Sequence, residues 1–207
     1  RVFAPWGDME DAMKQHDLPL WALESQFPVQ DFDMIAFTIG YEMAYTSIVN
    51  MLDLAGVPIY AKDRHDLSQM VFAGGVCTFN PEPLAPFFDF FSLGEGEEST
   101  VEIVSLYDKA KSEGWSKEQF LLEVSRIEGV YVPGFYEHIY NEDGTLKEII
   151  AREGQPTVHT KRIVEDLDKA YYPTNTIVPS TEIVHDRTNI ELFRGCIRGC
   201  RFCQAGY

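Results

Sequence analysis

Asp33-Met34-Ile35-Ala36-Phe37-Thr38-Ile39-Gly40 is a near-continuous apolar run of strand length that stops at a glycine. A strand covered on both faces reads this way, because neither side of its pleat meets water. Two later stretches repeat the pattern: Gln69-Met70-Val71-Phe72-Ala73 before Gly74-Gly75, and Phe87-Phe88-Asp89-Phe90-Phe91-Ser92-Leu93 before Gly94-Glu95-Gly96-Glu97. Helical patterns lie between and after them. Ser47 to Ala55 sets Ile48, Met51, Leu52 and Ala55 on one face and stops at Gly56. Pro81 suits the first turn of a short helix, Ser99 or Thr100 caps one running to about Lys111, and Ser116-x-x-Gln119 is a capping-box pattern. Upstream, Asp8 is a candidate N-cap for Met9 to His16, and Pro19 to Leu23 reads as a short strand. This alternation over residues 1–125 predicts an α/β fold with a doubly wound, mostly parallel sheet.

After Gly129 the texture changes. Glu137 to Tyr140, the turn Asn141-Glu142-Asp143-Gly144-Thr145 and Leu146 to Ala151 read as a β-hairpin with an Asp-Gly turn. Residues 126–188 thus form a hairpin and connecting arm, rich in prolines and charges at its end. Asn189 to Phe193 reads as a last strand, which opens a third segment, 189–207. There is no internal repeat.

The 207 residues carry 33 acids against 17 bases, a net charge of −16. That balance argues against a general binder of the nucleic-acid backbone. No apolar run approaches the ~18 residues that a membrane span needs. Residue 1 is Arg, with no signal segment before the first structured stretch, and the chain stops four residues after its last cysteine. The expectation is a cytoplasmic piece of a larger polypeptide.

Ligands of open α/β sheets sit at the carboxyl ends of the strands. The loops after Ile39, Ala73 and Leu93 therefore matter, and each starts with glycine. Glycine there allows close approach of a ligand, and it is equally a common turn residue.

The densest chemistry is Arg194-Gly195-Cys196-Ile197-Arg198-Gly199-Cys200-Arg201-Phe202-Cys203-Gln204, a C-x3-C-x2-C spacing. Three thiolates so close reach three corners of one cluster or ion, and the glycines relieve crowding where the loop turns. Arg194, Arg198 and Arg201 surround the three cysteines with positive charge and would offset the negative charge of an iron–sulfur cluster. Three cysteines leave one iron of a [4Fe–4S] cluster without a protein ligand, open to a substrate or cofactor. A zinc site completed by Cys77 or a histidine, or three unligated thiols, are the alternatives. Zinc ribbons use two separated C-x2-C pairs, which this chain lacks.

That spacing, with Phe202 just before the third cysteine, resembles the signature of the radical S-adenosylmethionine (SAM) enzymes. The resemblance implies Cys196, Cys200 and Cys203 as ligands of a [4Fe–4S] cluster, SAM chelated by the open iron, and Phe202 near its adenine. It also implies reductive cleavage of SAM to a 5′-deoxyadenosyl radical and a flavodoxin-like electron donor. The run Gly74-Gly75-Val76-Cys77-Thr78-Phe79-Asn80-Pro81-Glu82-Pro83-Leu84, then Phe88-Asp89 and Gly94-Glu95-Gly96-Glu97, is similar to the cobalamin-binding-like domain that precedes the barrel in one subgroup. Arg162 to Asp168, with Tyr172-Pro173, looks like that subgroup's arm. On this resemblance residues 1–125 are a flavodoxin-like, cobalamin-binding-like domain without its first βα unit, and 189–207 are the first strand and loop of a truncated barrel. The substrate and reaction stay open. A second reading is a non-catalytic flavodoxin-like domain that holds cobalamin or a protein partner.

Cobalamin itself is an open question in the sequence. A histidine-ligating domain uses Asp-x-His-x-x-Gly after the first strand. Asp63-Arg64-His65 matches only the start of that motif and stands before a strand, so His65 reads as a solvated loop residue. If a corrin binds, Tyr41, Glu42, Gly74, Gly75, Cys77, Thr78, Gly94, Glu95 and Gly96 are the candidate contacts by their place at strand ends. Cys77 reads equally as a small buried residue. Glu95 and Glu97 read as a helix-dipole pair, and His16, His138, His159 and His185 as surface or locally bonded residues.

Overall fold

The computed structural model describes residues 1–174, 180–182, 184, 187 and 189–203. The chain divides into two units, Arg1–Ile163 and Val164–Tyr207.

The first unit is built on a four-stranded sheet: β1 (Met34–Thr38), β2 (Met70–Gly74), β3 (Phe90–Ser92) and β4 (Val130–Tyr131), in the order β1-β2-β3-β4. β1, β2 and β3 are parallel, in registers such as Met34 with Met70 and Phe72 with Phe90; β4 is antiparallel to β3, Phe91 facing Tyr131. Helices are α1 (Gly7–Gln15), α2 (Tyr45–Leu54), α3 (Gly96–Glu113) and α4 (Lys117–Val124).

Strand periodicity explains the two cores. Alternate residues of β2 point to opposite faces. Val71 and Ala73 meet Ile48 and Leu52 of α2, with Leu84, Phe88 and Phe91. Met70 and Phe72 meet Ile103, Tyr107 and Ala110 of α3 and Phe120 and Val124 of α4. All four β2 residues are buried, which is why the run lacks polar alternation. Helices thus cover both faces at β2, as expected, whereas β1 is only partly covered, with Ala36 and Thr38 exposed. The described strands of this sheet lie in sequence order, β1-β2-β3-β4.

Several local expectations shift. α1 starts at Gly7 with Trp6 as its N-cap; Asp8 lies inside the first turn and accepts its neighbour Met9 N–H at 2.9 Å. The negative charge there favours the helix N-terminus without capping it. Pro19 to Leu23 is not a strand, for Trp21 makes only a single bridge to Pro28. α3 starts three residues before Ser99, at Gly96, with Glu95 as N-cap and Gly114 (φ 68°) ending it. Ser99 is buried in the helix, its hydroxyl donating to Glu95 O. The Ser116 cap forms as read, accepting the Gln119 N–H at 3.2 Å. Pro81 leads only a 3-10 turn, Glu82–Leu84.

The hairpin pairs β5 (Tyr136–Tyr140) with β6 (Leu146–Ala151) around a turn whose Gly144 has φ 81°. Asp143 accepts from the Thr145 N–H and hydroxyl, fixing that turn.

In the second unit the expected barrel strand Asn189 to Phe193 is irregular. Ile190, Leu192 and Phe193 are exposed there. A β-prone run without a neighbouring strand has nothing to satisfy its backbone, so propensity alone does not form it. No described helix is long and apolar enough to cross a membrane.

Candidate functional site

The three cysteines of the 196–203 loop are exposed and in no disulfide. Gly195 and Gly199 have φ of 81° and 61°, the left-handed conformation that lets the chain turn twice between Arg194 and Cys200. Cys203 N–H donates to Cys200 O at 3.1 Å, closing a turn between the second and third thiols. Arg194 is held by Glu191, both N–O distances being 2.9 Å. Ile197 and Phe202 project fully into solvent. As a donor set, three exposed cysteines on one short turning loop with three arginines suit a thiolate-held cluster. Among the described residues, though, no three Cys, His, Asp or Glu side chains are gathered as around a metal ion. Gln204 lies outside the described residues, as does His185.

The second candidate region is the carboxyl edge of the sheet. Gly75, with φ 101°, follows β2 so closely against β1 that a Cβ would lie 2.7 Å from Ile39 O. The Cys77 N–H donates to Ile39 O at 3.1 Å, and the Thr78 hydroxyl to Gly75 O at 2.7 Å. Cys77 and Thr78 are buried, and burial, with Glu42 nearby, pushes the Cys77 thiol above its ordinary pKa. Cys77 is thus a protonated core residue. Tyr41 and Glu42 are exposed in the loop after β1, and Met43, Val76 and Phe79 add exposed apolar surface to the same edge.

At β3 the edge is closed by the chain itself. Arg162 N–H donates to Leu93 O and Glu95 N–H to Arg162 O, both at 2.9 Å. A Cβ on Gly94 would lie 2.2 Å from Arg162 O, and one on Gly129 would lie 2.5 Å from Leu93 O. The Arg162 guanidinium donates to Glu98 at 2.6 Å and Glu102 at 3.0 Å, which raises its pKa further. The close approach at Gly75 and Gly94 is therefore made by backbone of this chain. Gly74 has only an ordinary contact, with Ser92 O, and Gly96 opens α3.

His65 is exposed on the loop before β2, at the amino edge of the sheet and opposite the carboxyl ends. His138 Nε2 is 3.3 Å from Glu82, whose other oxygen accepts the Tyr131 hydroxyl. His159 Nε2 is 2.8 Å from the Tyr136 hydroxyl. Burial lowers the His159 pKa, against a hydrogen bond involving the Val130 backbone.

The sequence reading missed a buried ion group at the amino edge. Arg64 Nε donates to Asp89 Oδ2 at 3.1 Å, and the Val71 N–H donates to the same oxygen at 2.7 Å. The Arg64 and Asp89 side chains are 1% and 0% exposed. Arg64 also donates to Pro58 O and Phe87 O. Lys117 Nζ lies 2.5 Å from Asp89 Oδ1 in a charge contact without hydrogen-bond alignment, and donates to Ala61 O and Arg64 O. The available signal was Asp89 itself, one carboxylate inside an otherwise apolar run, since a buried charge requires a partner.

A family model for radical SAM proteins, N-terminal, matches residues 1–133. An uncharacterized protein of Methanocaldococcus jannaschii is 25% identical over 189 residues, which cover 90% of this chain and 33% of that protein. The chain thus spans about a third of the length of this curated relative. No solved structure matches the chain.

Proposed function

The chain belongs to the family of radical SAM proteins, N-terminal, and we propose that it is the N-terminal part of a cytoplasmic radical SAM enzyme whose cluster is held by Cys196, Cys200 and Cys203. The observation that carries this reading is the cysteine loop. Its three exposed cysteines stand among three arginines of an otherwise acidic chain, with left-handed Gly195 just before Cys196 and left-handed Gly199 just before Cys200. The loop lies outside the matched residues 1–133, so the two lines of support are independent.

When bound, the [4Fe–4S] cluster would supply one electron to the sulfonium of SAM and release a 5′-deoxyadenosyl radical. The chain's own residues have simpler tasks. The three thiolates hold the cluster, and Arg198 and Arg201 balance its charge. Phe202 offers a free aromatic face to the adenine. A flavodoxin-like protein would donate the electron. The space beside Gly75 and Gly94 is taken by Ile39 and Arg162 backbone, so a corrin at this edge would rest on the other strand-end residues named for it.

The second reading, a binding domain without chemistry, is favoured by the exposed Tyr41, Met43, Val76 and Phe79 at the carboxyl edge. One experiment separates the two. The full-length polypeptide is reconstituted anaerobically with iron and sulfide, reduced, and examined by EPR with and without SAM. A [4Fe–4S]⁺ signal that changes on adding SAM is the expected result. A zinc-loaded or cluster-free protein with no response to SAM overturns the enzyme reading and leaves the binding domain.

A further inference from the structure

We propose that the cleft at the amino edge of the sheet binds a small organic anion, a carboxylate or phosphate carried on a flat apolar body. The cleft has a volume of about 740 Å³, within the range of small-molecule sites. It lies at the end of the sheet opposite the carboxyl edge and is independent of the cysteine loop.

Its walls combine two chemistries. Tyr60 and Phe135 line it, each with a cation over its ring: Lys62 Nζ at 5.3 Å from the Tyr60 centroid and Arg152 at 5.2 Å from that of Phe135. Tyr60 is fixed by stacking on Phe87 at 5.4 Å. Ala85, Pro86, Leu121 and Val132 supply further apolar lining. Tyr60 is the exposed ring of the two, Phe135 being buried with Arg152 over it, and with the apolar lining it offers contact area to an apolar body.

Charge supplies the second argument. The lining holds four cationic side chains, Lys62, Arg64, Lys117 and Arg152, against two carboxylates, Asp89 and Glu118. The chain as a whole is −16, so this excess opposes the general field. Arg64 and Lys117 are spent on Asp89 and backbone carbonyls, and Arg152 pairs with Glu118 at 2.7 Å. Lys62 has no carboxylate partner among the described residues, and His65 joins it at the rim. Asp63 and Asp66, on the same loop, lie outside the lining. The cleft therefore has a fixed floor, in which the buried ion group holds loop 58–64 to β3 and α4, and a cationic rim with Lys62 available. Low-dielectric walls focus such a field on an entering anion.

The test is calorimetric titration of the full chain with naphthoate, naphthyl phosphate, neutral naphthol and inorganic phosphate. Both naphthyl anions should bind at least about tenfold more tightly than naphthol or inorganic phosphate, the tighter anion naming the head group. Lys62→Met should weaken the anions about fivefold, and Lys62→Met with Arg152→Gln by more, with naphthol unchanged. Because Arg152 packs on Phe135, the single exposed Lys62→Met keeps the test free of folding effects. Naphthol binding as tightly as naphthoate, anion affinity unchanged in Lys62→Met, or no heat with either anion would overturn the proposal.

Discussion

Gly94 and Arg162 lie side by side as a parallel β-bridge, so close that the position next to Arg162 admits only a residue without a Cβ. The φ of Gly94 is 99°, a second reason for glycine there. The bridge fastens residues 162–163 to the carboxyl end of β3, and the Arg162 guanidinium fastens the same segment to α3 through Glu98 and Glu102.

Gly94→Ala should therefore destabilise by at least about 2 kcal/mol, from backbone strain plus displacement of Arg162. Gly144→Ala, at φ 81° with open space around it, should cost only about 1 kcal/mol. Urea unfolding compares the two, and hydrogen exchange of the Glu95 and Arg162 amides should rise in the first variant alone. Equal costs would show that the close approach does not constrain the fold.

Arg162→Met keeps the backbone bridge and removes the ion pairs. With its carboxylate partners about half exposed, the loss should be about 1 kcal/mol and should shrink as salt is raised. A salt-independent loss would instead assign Arg162 a packing role.

Asp89→Ala leaves Arg64 buried without its counter-charge and the Val71 N–H without an acceptor. The expected cost is about 3–5 kcal/mol in chemical denaturation. A cost near that of an exposed pair would mean that water reaches the ion group.

Cys200→Ser should abolish retention of iron and sulfide after reconstitution, whereas Cys77→Ser should leave it intact. Cys77 is buried with its thiol protonated, so its replacement should lower stability by about 1–3 kcal/mol instead, by placing a hydroxyl among apolar neighbours. Iron loss in Cys77→Ser without unfolding would bring Cys77 back as a ligand.

His159 gives the molecule a pH dependence with a defined sign. Its folded pKa is depressed by burial, so the unfolded chain binds its proton first as pH falls. The stability it contributes is present above about pH 6.5 and is lost as pH drops through that value towards the folded pKa. Unfolding midpoints between about pH 7.5 and about pH 5 should fall more steeply in the native chain than in His159→Gln. Parallel slopes would show that His159 titrates as a free imidazole.

The sequence by itself determined the local elements whose signals are short-range. Apolar runs ending in glycine form strands here, buried throughout in β3 and nearly so in β2, whereas in β1 Ala36 and Thr38 are exposed. Ser116 caps α4 and Asp143-Gly144 turns the hairpin because cap and turn chemistry act within a few residues. The C-x3-C-x2-C loop was visible as a spacing in the sequence, and the structure adds that its cysteines are exposed. Tertiary structure decided whatever depends on distant partners. The straight strand order, and the failure of Asn189 to Phe193 to form a strand, follow from which backbone edges find a neighbour. The closing of Gly94 by Arg162, 68 residues away in sequence, and the pairing of Arg64 with Asp89 are contacts that local pattern does not encode. A buried charge or a missing Cβ announces that a partner exists, and only the fold names it.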